Sequence, residues 1–290
     1  MHEGEVSVDD VTVRALLKDQ FPDWADGQLR RVPDSGTDNA IYRLGEDMGI
    51  RLPRIQWAEA QIEKECRWLP ELALGLPVSV PVPLAKGHPS RDYPFPWLVY
   101  SWLEGVSLDR AVIEDWGVLA LEIGEFIIAL GRRPTDGGPQ PISRGNPMAQ
   151  YDPGVQWALR QLDDSVDVER AQAVWQNAVD VGEWSGDPVW VHGDLLPGNI
   201  LVSKGHLSGI IDWSGAGVGD PACEAMLAWS LPSGARNVFR ETIGFDDATW
   251  ARARGWVIQQ TAPYIPYYAE SLPLAVEQAR RRLEAALLGD

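Results

Sequence analysis

Three oxygen-bearing side chains lie close together in the chain, between residues 189 and 214. Asn199 follows Asp194 by five positions, and Asp212 follows Asn199 by thirteen. Short apolar runs flank them and Gly and Pro interrupt the runs, so the pattern predicts a strand, a loop and a β-hairpin. One carboxylate can then face a substrate hydroxyl while an amide oxygen and a second carboxylate hold a divalent metal. This combination suits the transfer of a phosphoryl group from a nucleotide to an alcohol.

The predicted hairpin brings Asn199 and Asp212 to the same open end. Mg²⁺ prefers hard oxygen ligands and takes one or two of them from protein side chains, so these two residues are the candidate metal ligands. Asp194 is the candidate catalytic base and substrate contact, because an Asp with the usual pKa of ~3.9 is ionised at pH 7 and accepts a hydrogen bond from a hydroxyl. The competing interpretation is that these side chains only stabilise turns in the backbone around them, as Asp and Asn commonly do.

The elements that must position this stretch fall into two groups. The N-terminal part is predicted to be rich in β-structure, with a helix over 8–18, a hairpin over 39–54, a helix over 57–72 that ends at Pro70, and strands over 77–85 and 97–103. Glu104-Gly105 breaks the pattern. We therefore expect an N-terminal nucleotide-binding lobe over 1–103 and a C-terminal catalytic and substrate-binding lobe over 104–290.

Helices dominate the C-terminal part. The apolar spacing over 115–131 predicts a helix with one buried side, and further helices are expected on both sides of the 189–214 segment. Residues 134–154 are rich in Pro and Gly and are expected to form an exposed connection, of a length that is often functional, such as a lid. The order of elements predicts an α+β fold with a small β-rich lobe and a larger, mainly helical lobe.

The stretch HGDLLPGN, followed by a hairpin that ends at Asp212, resembles the catalytic and metal-binding loops of the protein-kinase-like superfamily. More narrowly, it resembles the aminoglycoside phosphotransferase and macrolide kinase family, whose signature is HGD, four residues and Asn. The resemblance covers most of the chain. It implies a bilobal protein-kinase-like fold, Mg²⁺ as cofactor, ATP or GTP as phosphoryl donor, Asp194 as the base, and Asn199 and Asp212 as the metal ligands.

The same resemblance implies nucleotide contacts upstream. Ser35, Thr37 and Asn39 lie where the family has its phosphate-covering loop, although this loop holds one glycine instead of three. Ser101 and Leu103 lie in a segment that resembles the strand and hinge that hold the nucleotide base. Hinge recognition uses mainly backbone groups, so the choice between ATP and GTP stays open.

An arginine stands where the family carries a phosphate-binding lysine. The resemblance implies that Arg51 takes this position and that Glu65, on the following helix, pairs with it; Arg54 is the alternative to Arg51. Lys64 lies on the helix beside Glu65. Arginine binds phosphate in a bidentate way, but its reach and geometry differ from those of lysine. An ordinary surface ion pair is the competing interpretation.

Three further residues are candidate contacts for the acceptor substrate. Glu224 either faces a cationic substrate or complements the N-terminus of the helix that begins after Asp220. Tyr264 and Tyr268 either form an aromatic platform for the substrate or pack within their own helix. The acceptor itself is not identified by these patterns.

Composition limits the other functions. The net charge of −17 disfavours nucleic-acid binding, because an acidic chain repels phosphate backbones, and it favours a cationic small molecule. No stretch is long and apolar enough for a membrane span, and the N-terminus lacks the features of a signal peptide. The two cysteines are far apart in the sequence, which fits a reducing cytoplasm rather than a disulfide scaffold.

The leading interpretation is an ATP- or GTP-dependent kinase that phosphorylates a hydroxyl of a small molecule, either an antibiotic (an aminoglycoside or a macrolide) or a related metabolite. A catalytically silent, kinase-like nucleotide-binding protein is the first alternative, because the usual lysine is missing. A metallophosphoesterase is the second, but the chain has only 4 histidines and such sites need several. A protein kinase is disfavoured, since no activation segment fits between Asp212 and Asp220.

Overall fold

The computed structural model describes residues 5–33 and 38–289. The chain divides into two compact units. The first extends to Glu104 and also contains Gly209–Ser214, and the second consists of Gly105–Ser208 and the chain from Gly215 onward. Residues 209–214 therefore group with the N-terminal part of the chain rather than with the rest of 104–290.

The first unit is built on an antiparallel sheet of five strands in the order β1-β2-β3-β5-β4. The strands are β1 (Leu29–Arg31), β2 (Asn39–Leu44), β3 (Met48–Pro53), β4 (Pro83–Gly87) and β5 (Trp97–Ser101). The predicted hairpin is formed by β2 and β3, which pair so that Ile41 lies opposite Arg51. Every second side chain of β2 is buried, as expected for a strand with one face on the core.

Two helices accompany this sheet, α1 (Asp10–Gln20) and α2 (Glu59–Ala73). Asp9 caps α1 by accepting a hydrogen bond from the backbone N–H of Thr12 at 2.8 Å. The prediction that Pro70 ends α2 is wrong, since the helix continues to Ala73. A proline in the last turn removes only one intrahelical hydrogen bond, so it shortens a helix less than a proline in the middle.

The strand predicted over 77–85 is also shorter than expected, because β4 begins only at Pro83. Prolines at 77, 81 and 83 have no backbone N–H to donate to a neighbouring strand. The segment before β4 therefore cannot pair continuously with β5.

The second unit is mainly helical, which confirms the α+β class. Its helices are α3 (Trp116–Gly131), α4 (Asp152–Leu159), α5 (Val168–Asp180), α6 (Ser233–Ile243), α7 (Asp247–Tyr268) and α8 (Pro273–Leu288). The predicted helix over 115–131 is α3, and Asp115 caps it through hydrogen bonds from Gly117 and Val118. Across residues 5–33 and 38–289, no helix is long and apolar enough to cross a lipid bilayer.

Short strands hold the segment that contains the candidate catalytic residues. These strands are β6 (Val106–Ser107), β7 (Val189–Val191), β8 (Ile200–Ser203), β9 (His206–Ile210) and β10 (Gly217–Gly219). Strand β7 pairs antiparallel with β10, and β8 pairs with β6 on one side and β9 on the other. The turn between β8 and β9 contains Lys204 (φ 53°) and Gly205 (φ 82°), as a tight two-residue hairpin turn requires.

The connection over 134–154 is not a simple exposed loop. Pro141, Gly145 and Met148 are buried, and the segment ends in a short 3₁₀ helix, Met148–Tyr151. The backbone N–H of Asp220 donates to the carbonyl oxygen of Gly145 at 2.8 Å. The predicted exposure was wrong because this segment packs against the backbone around β10.

Candidate active site

The loop over 192–199 joins β7 to β8 and carries Asp194 and Asn199. Gly193 has a φ of 76°, and a Cβ atom at this position would lie 2.9 Å from the carbonyl oxygen of Gly215. A residue with a side chain would be strained there both by its backbone conformation and by this contact. The glycine thus allows the chain to turn sharply just before Asp194.

Glu224 supports this loop through a hydrogen bond to its backbone. Its carboxylate Oε1 accepts a hydrogen bond from the backbone N–H of Gly193 at 2.8 Å, and the residue is 1% exposed. Burial raises the pKa of Glu224, and interaction with His192 opposes the increase. The expectation that Glu224 faces a cationic substrate is therefore corrected, because its carboxylate lies within the core and binds the loop backbone.

Two other polar residues hold the loop in place. His192 is fully buried, and its Nδ1 accepts from the backbone N–H of Asp194 at 3.3 Å. Asp220 caps the 3₁₀ helix Pro221–Ser230 by accepting from Ala222, and Arg252 Nε donates to its other oxygen at 2.7 Å. Buried hydrogen bonds thus hold the loop, and Glu224 Oε2 is a buried atom that has no hydrogen-bond partner among the described residues.

Asp194 is held by two side chains. Arg144 forms an ion pair with its carboxylate and also donates from Nε to the carbonyl oxygen of Gly193 at 2.8 Å. Asn199 donates from Nδ2 to the backbone oxygen of Asp194 at 2.9 Å and to its Oδ2 at 3.2 Å. The candidate base is therefore fixed in one orientation. No local pattern in the sequence links Arg144 to Asp194, and the only hint was the unusual length of the 134–154 connection.

The position of Asn199 suits a metal ligand. The 3₁₀ helix Pro197–Asn199 presents the side chain, and both hydrogens of its amide nitrogen are used on Asp194. The amide oxygen consequently points away from Asp194. Among the described residues no group of three or more His, Cys, Asp or Glu could hold a metal ion, which is compatible with Mg²⁺ because it needs few protein ligands.

Asp212 belongs to the first unit, where it follows β9 with a φ of 59°. Its Oδ1 accepts from the backbone N–H of Ser214 at 3.4 Å, and Lys64 Nζ donates to the carbonyl oxygen of Ser214 at 2.5 Å. Burial lowers the pKa of Lys64 to about 8, with nearby Arg51 acting in the same direction. An exposed carboxylate at this strained backbone position is a chemically suitable ligand for Mg²⁺.

The predicted pair of Arg51 and Glu65 is formed within the first unit. Arg51 Nη1 donates to Glu65 Oε1 at 2.7 Å, and Nη2 lies 2.7 Å from Oε2. Burial is the largest single influence on Arg51 and acts to lower its pKa, but the charge and the hydrogen bond of Glu65, together with the charge of Asp212, outweigh it and the pKa of Arg51 is raised. The alternative residue, Arg54, pairs instead with Glu5 at 2.5 Å.

The structure describes only some of the other residues that are candidate contacts for the nucleotide. Ser35 and Thr37 lie outside the described residues. Asn39 begins β2, and its buried Oδ1 has no hydrogen-bond partner within the described part of the chain. Ser101 ends β5, where its Oγ accepts from the backbone N–H of Val82 at 2.8 Å, and Leu103 follows it, partly exposed.

A cavity of about 660 Å³ lies in the second unit beside Asp194. Tyr264 and Tyr268, the predicted platform residues, both line it, and their ring centroids are 4.5 Å apart. The other lining residues are Arg144, Trp157, Gln161, Leu196, Gln259, Gln260, Pro263, Pro266 and Tyr267. Most of these come from the C-terminal half of α7, where Pro263 and Pro266 each remove a backbone donor from the helix.

Comparison with known proteins identifies the family and the fold of this chain. The model of a family described as the phosphotransferase enzyme family matches residues 29–256. The uncharacterized protein YcbJ of Bacillus subtilis (strain 168) is 26% identical over 222 residues, which are 72% of this chain and 68% of YcbJ.

Two solved structures show the same fold. The GDP and kanamycin complex of APH(2")-IIia has a TM-score of 0.76 and 20% identity, covering 97% of this chain and 100% of that chain. Macrolide 2'-phosphotransferase MphH from Brachybacterium faecium has a TM-score of 0.62 and 24% identity, covering 96% of this chain and 98% of that chain. The predicted kinase-like fold and phosphotransferase class are confirmed. With more than half of its length matched by the family model, this chain belongs to the phosphotransferase enzyme family.

Proposed function

We propose that this chain is a kinase that transfers the γ-phosphoryl group of ATP or GTP to a hydroxyl group of a small molecule. The first unit binds the nucleotide, and the second unit binds the acceptor and supplies the base. In this proposal Asp194 accepts the proton of the attacking hydroxyl. Catalysis then depends mainly on positioning and on charge stabilisation around the transferred group.

The observation that carries the proposal is the position of Asp194 on the wall of a cavity large enough for a small molecule. Arg144 and Asn199 hold its carboxylate from two sides. A base that is already oriented loses little entropy when the acceptor hydroxyl reaches it, which is a large part of the catalytic effect of positioning.

The nucleotide phosphates are assigned to the cluster of Arg51, Lys64 and Asp212 in the first unit. Arg51 Nε is buried and has no hydrogen-bond partner among the described residues, so it is a donor available to an anion. Glu65 fixes the Arg51 guanidinium, as the family pattern leads us to expect for the residue that holds the phosphates. Ser35, Thr37, Asn39, Ser101 and Leu103 are retained as proposed contacts for the rest of the nucleotide.

Asn199 and Asp212 are the proposed protein ligands of Mg²⁺. Both offer hard oxygen atoms, and the amide orientation of Asn199 is set by its two bonds to Asp194. When bound, the ion would neutralise negative charge on the nucleotide phosphates.

The similar proteins suggest only a class of acceptor compounds, not one particular acceptor. APH(2")-IIia is described in complex with kanamycin, and MphH is described as a macrolide phosphotransferase, so hydroxyl-bearing antibiotics and related metabolites are the compounds to test first. GDP occupies the first of these structures. Both GTP and ATP should therefore be tested as donors.

Nucleoside diphosphate release by the purified chain tests the proposal. Release should require Mg²⁺, occur slowly without an acceptor and increase when a suitable acceptor is added. Asp194→Asn should lower acceptor-dependent turnover by about 100-fold or more, because general bases contribute on this scale. Asp164→Asn, which changes an exposed Asp of the same unit, is the matched control. Nucleotide binding without any turnover would support a silent binding protein instead.

A further inference from the structure

The charge of the cavity beside Asp194 differs from the charge of the whole chain. Asp194 is the one carboxylate among the residues that line it, within the part of the chain that the structure describes. Its charge is already matched by the ion pair with Arg144. The other walls are aromatic rings, prolines and the neutral amides of Gln259 and Gln260. The overall charge of −17 therefore says little about this site.

A second arginine lies behind the cavity wall. Arg282, on α8, is 8% exposed and donates from Nη2 to Gln260 Oε1 at 2.5 Å. It interacts electrostatically with Asp194, Arg144 and Tyr264. Burial lowers the pKa of Arg282 to about 10, so its guanidinium is still charged at neutral pH.

Arg282 lacks a dedicated counter-ion. Over residues 5–33 and 38–289 no carboxylate forms an ion pair with it, and its buried Nε has no hydrogen-bond partner. Buried charges are expensive unless they are paired, and buried polar atoms are normally hydrogen-bonded. An unsatisfied arginine behind a binding cavity is therefore a feature that a bound anion would stabilise.

The balance of charges at the cavity is then two guanidinium groups against one carboxylate. An aminoglycoside carries several ammonium groups, and each needs a carboxylate or a carbonyl oxygen once it leaves water. This cavity offers its single carboxylate to the reacting hydroxyl. To an ammonium group it offers one carbonyl oxygen, Gln259 Oε1, that has no hydrogen-bond partner among the residues that the structure describes. The uncompensated charge of Arg282 repels the further ammonium groups of a polycation. A polycationic sugar is thus poorly matched to the site.

We propose that the acceptor of this enzyme is an alcohol that carries a negatively charged group, with Arg282 and Arg144 as the cations that select it and Tyr264 and Tyr268 as the surface on which its ring or apolar part packs. This inference rests on the proposed function, since it names the acceptor class of the same site. It replaces the cationic acceptor that the net charge suggested.

Three matched probes test the charge preference without any turnover. 4-(Hydroxymethyl)benzoate, 1,4-benzenedimethanol and 4-(hydroxymethyl)benzylamine share one ring and one benzyl alcohol, and they differ in having a negative, a neutral or a positive second group. Calorimetric or NMR titration of the full chain should give a Kd for the anion that is at least about tenfold lower than the Kd for the amine, with the diol between them.

Substitutions on α8 and α7 show which residues cause the preference for the anionic probe. Arg282→Gln should make the three Kd values similar. Arg282→Lys should preserve the preference for the anion, and it serves as the control that the protein still folds when this position is substituted. Arg281→Gln, at the next position and with 74% of its side chain exposed, should leave all three values unchanged. Tyr264→Leu should weaken all three probes to a similar extent, because the ring is common to them.

Equal or tighter binding of the amine, no binding of any probe, or an anion preference that persists in a folded Arg282→Gln protein would overturn the inference. These outcomes leave the proposed kinase function intact, because that function is tested by Mg²⁺-dependent nucleotide binding and diphosphate release. Conversely, selective binding of the anion in a protein that neither binds nor cleaves a nucleotide would support the charge preference and reject the kinase function.

Discussion

Arg144 pairs with Asp194 across 50 positions of sequence, and the same guanidinium donates from Nε to the carbonyl oxygen of Gly193. The candidate base and the backbone immediately before it are thus held by one side chain from the 134–154 connection. The connection therefore helps to fix the geometry of the candidate base.

Arg144→Met should lower acceptor-dependent turnover by roughly 10- to 100-fold, because a base displaced by about 1 Å loses activity on this scale. The nucleotide Kd should stay the same, since the bonds of Arg144 go to Asp194 and Gly193 and the proposed phosphate cluster is built from other residues. Steady-state kinetics and a separate nucleotide titration measure the two effects. Arg110→Met, at an exposed position of the same unit, is the control. Full turnover in Arg144→Met would limit this pair to a packing role.

The loop over 192–199 could be predicted because its determinants are local. Asp194 and Asn199 are separated by five positions, and Gly and Pro fix the turns between them. The pair of Arg51 and Glu65 was also predictable, since a strand and the helix after it place them at short sequence separation. Arg144 and Arg282 could not be found in this way, because both reach the cavity from distant segments that no periodic pattern connects to Asp194.

The expected role of Glu224 was wrong for the same reason, namely that its partner comes from a distant segment of the chain. A carboxylate in the first turn of a helix has several partners open to it, and the sequence favoured helix-terminus or substrate contacts. The fold instead places Gly193 against it, through a backbone N–H that carries no sequence signal. Pro70 is a different case, since the loss of one hydrogen bond near the end of α2 costs less than the burial that its last turn gains.

Gly193→Ala should destabilise the fold. The residue has φ 76°, and a Cβ would lie 2.9 Å from a backbone oxygen that cannot move aside easily. Left-handed backbone costs roughly 1–2 kcal/mol for a residue with a side chain, and the contact adds to this. Gly198→Ala lies in the same loop with no atom within 4 Å of the added Cβ and should be nearly neutral. Denaturant unfolding of both variants compares them directly, and equal stabilities would contradict the strained conformation.

Glu224→Gln should change how stability depends on pH. Burial raises the pKa of Glu224 in the folded protein, so the folded state holds this proton more tightly than the unfolded chain does. The contribution of this proton to the free energy of unfolding is fully present below the pKa of about 4.5 in the unfolded chain. It is lost as the pH rises through the pKa of Glu224 in the folded protein. Above about pH 4.5, therefore, the wild type should lose stability relative to Glu224→Gln, which keeps a neutral acceptor for Gly193.

Thermal unfolding of both proteins between about pH 4.5 and 7.5 measures this difference. Glu241→Gln removes an exposed carboxylate from the same unit and should follow the wild type at every pH. A constant difference in Tm between wild type and Glu224→Gln across this range would mean that Glu224 is equally ionised in the folded and unfolded chains.

Lys64→Met should weaken nucleotide binding by about tenfold, because one cation of the proposed phosphate cluster is lost. Lys64 interacts electrostatically with Arg51 and Asp212. Its Nζ donates a hydrogen bond to the carbonyl oxygen of Ser214. Lys86→Met is the matched control, since Lys86 pairs with Glu63 on the outer side of α2. Fluorescence titration with ADP and GDP gives both affinities. If both variants weaken binding equally, the effect comes from net charge and not from the position of Lys64.

Arg51→Met should destabilise the first unit by roughly 3–5 kcal/mol, because it leaves the Glu65 carboxylate buried without its partner. The double variant Arg51→Met with Glu65→Leu should recover most of this loss, since an apolar pair of similar size can replace a buried ion pair. Nucleotide affinity should behave differently and stay low in both variants, because neither has the guanidinium that would face the phosphates. Denaturant unfolding and nucleotide titration of the same samples separate the two roles. A double variant that is stable and binds nucleotide as the wild type does would make the Arg51–Glu65 pair a structural element only, and Lys64 would then be the principal cation for the phosphates.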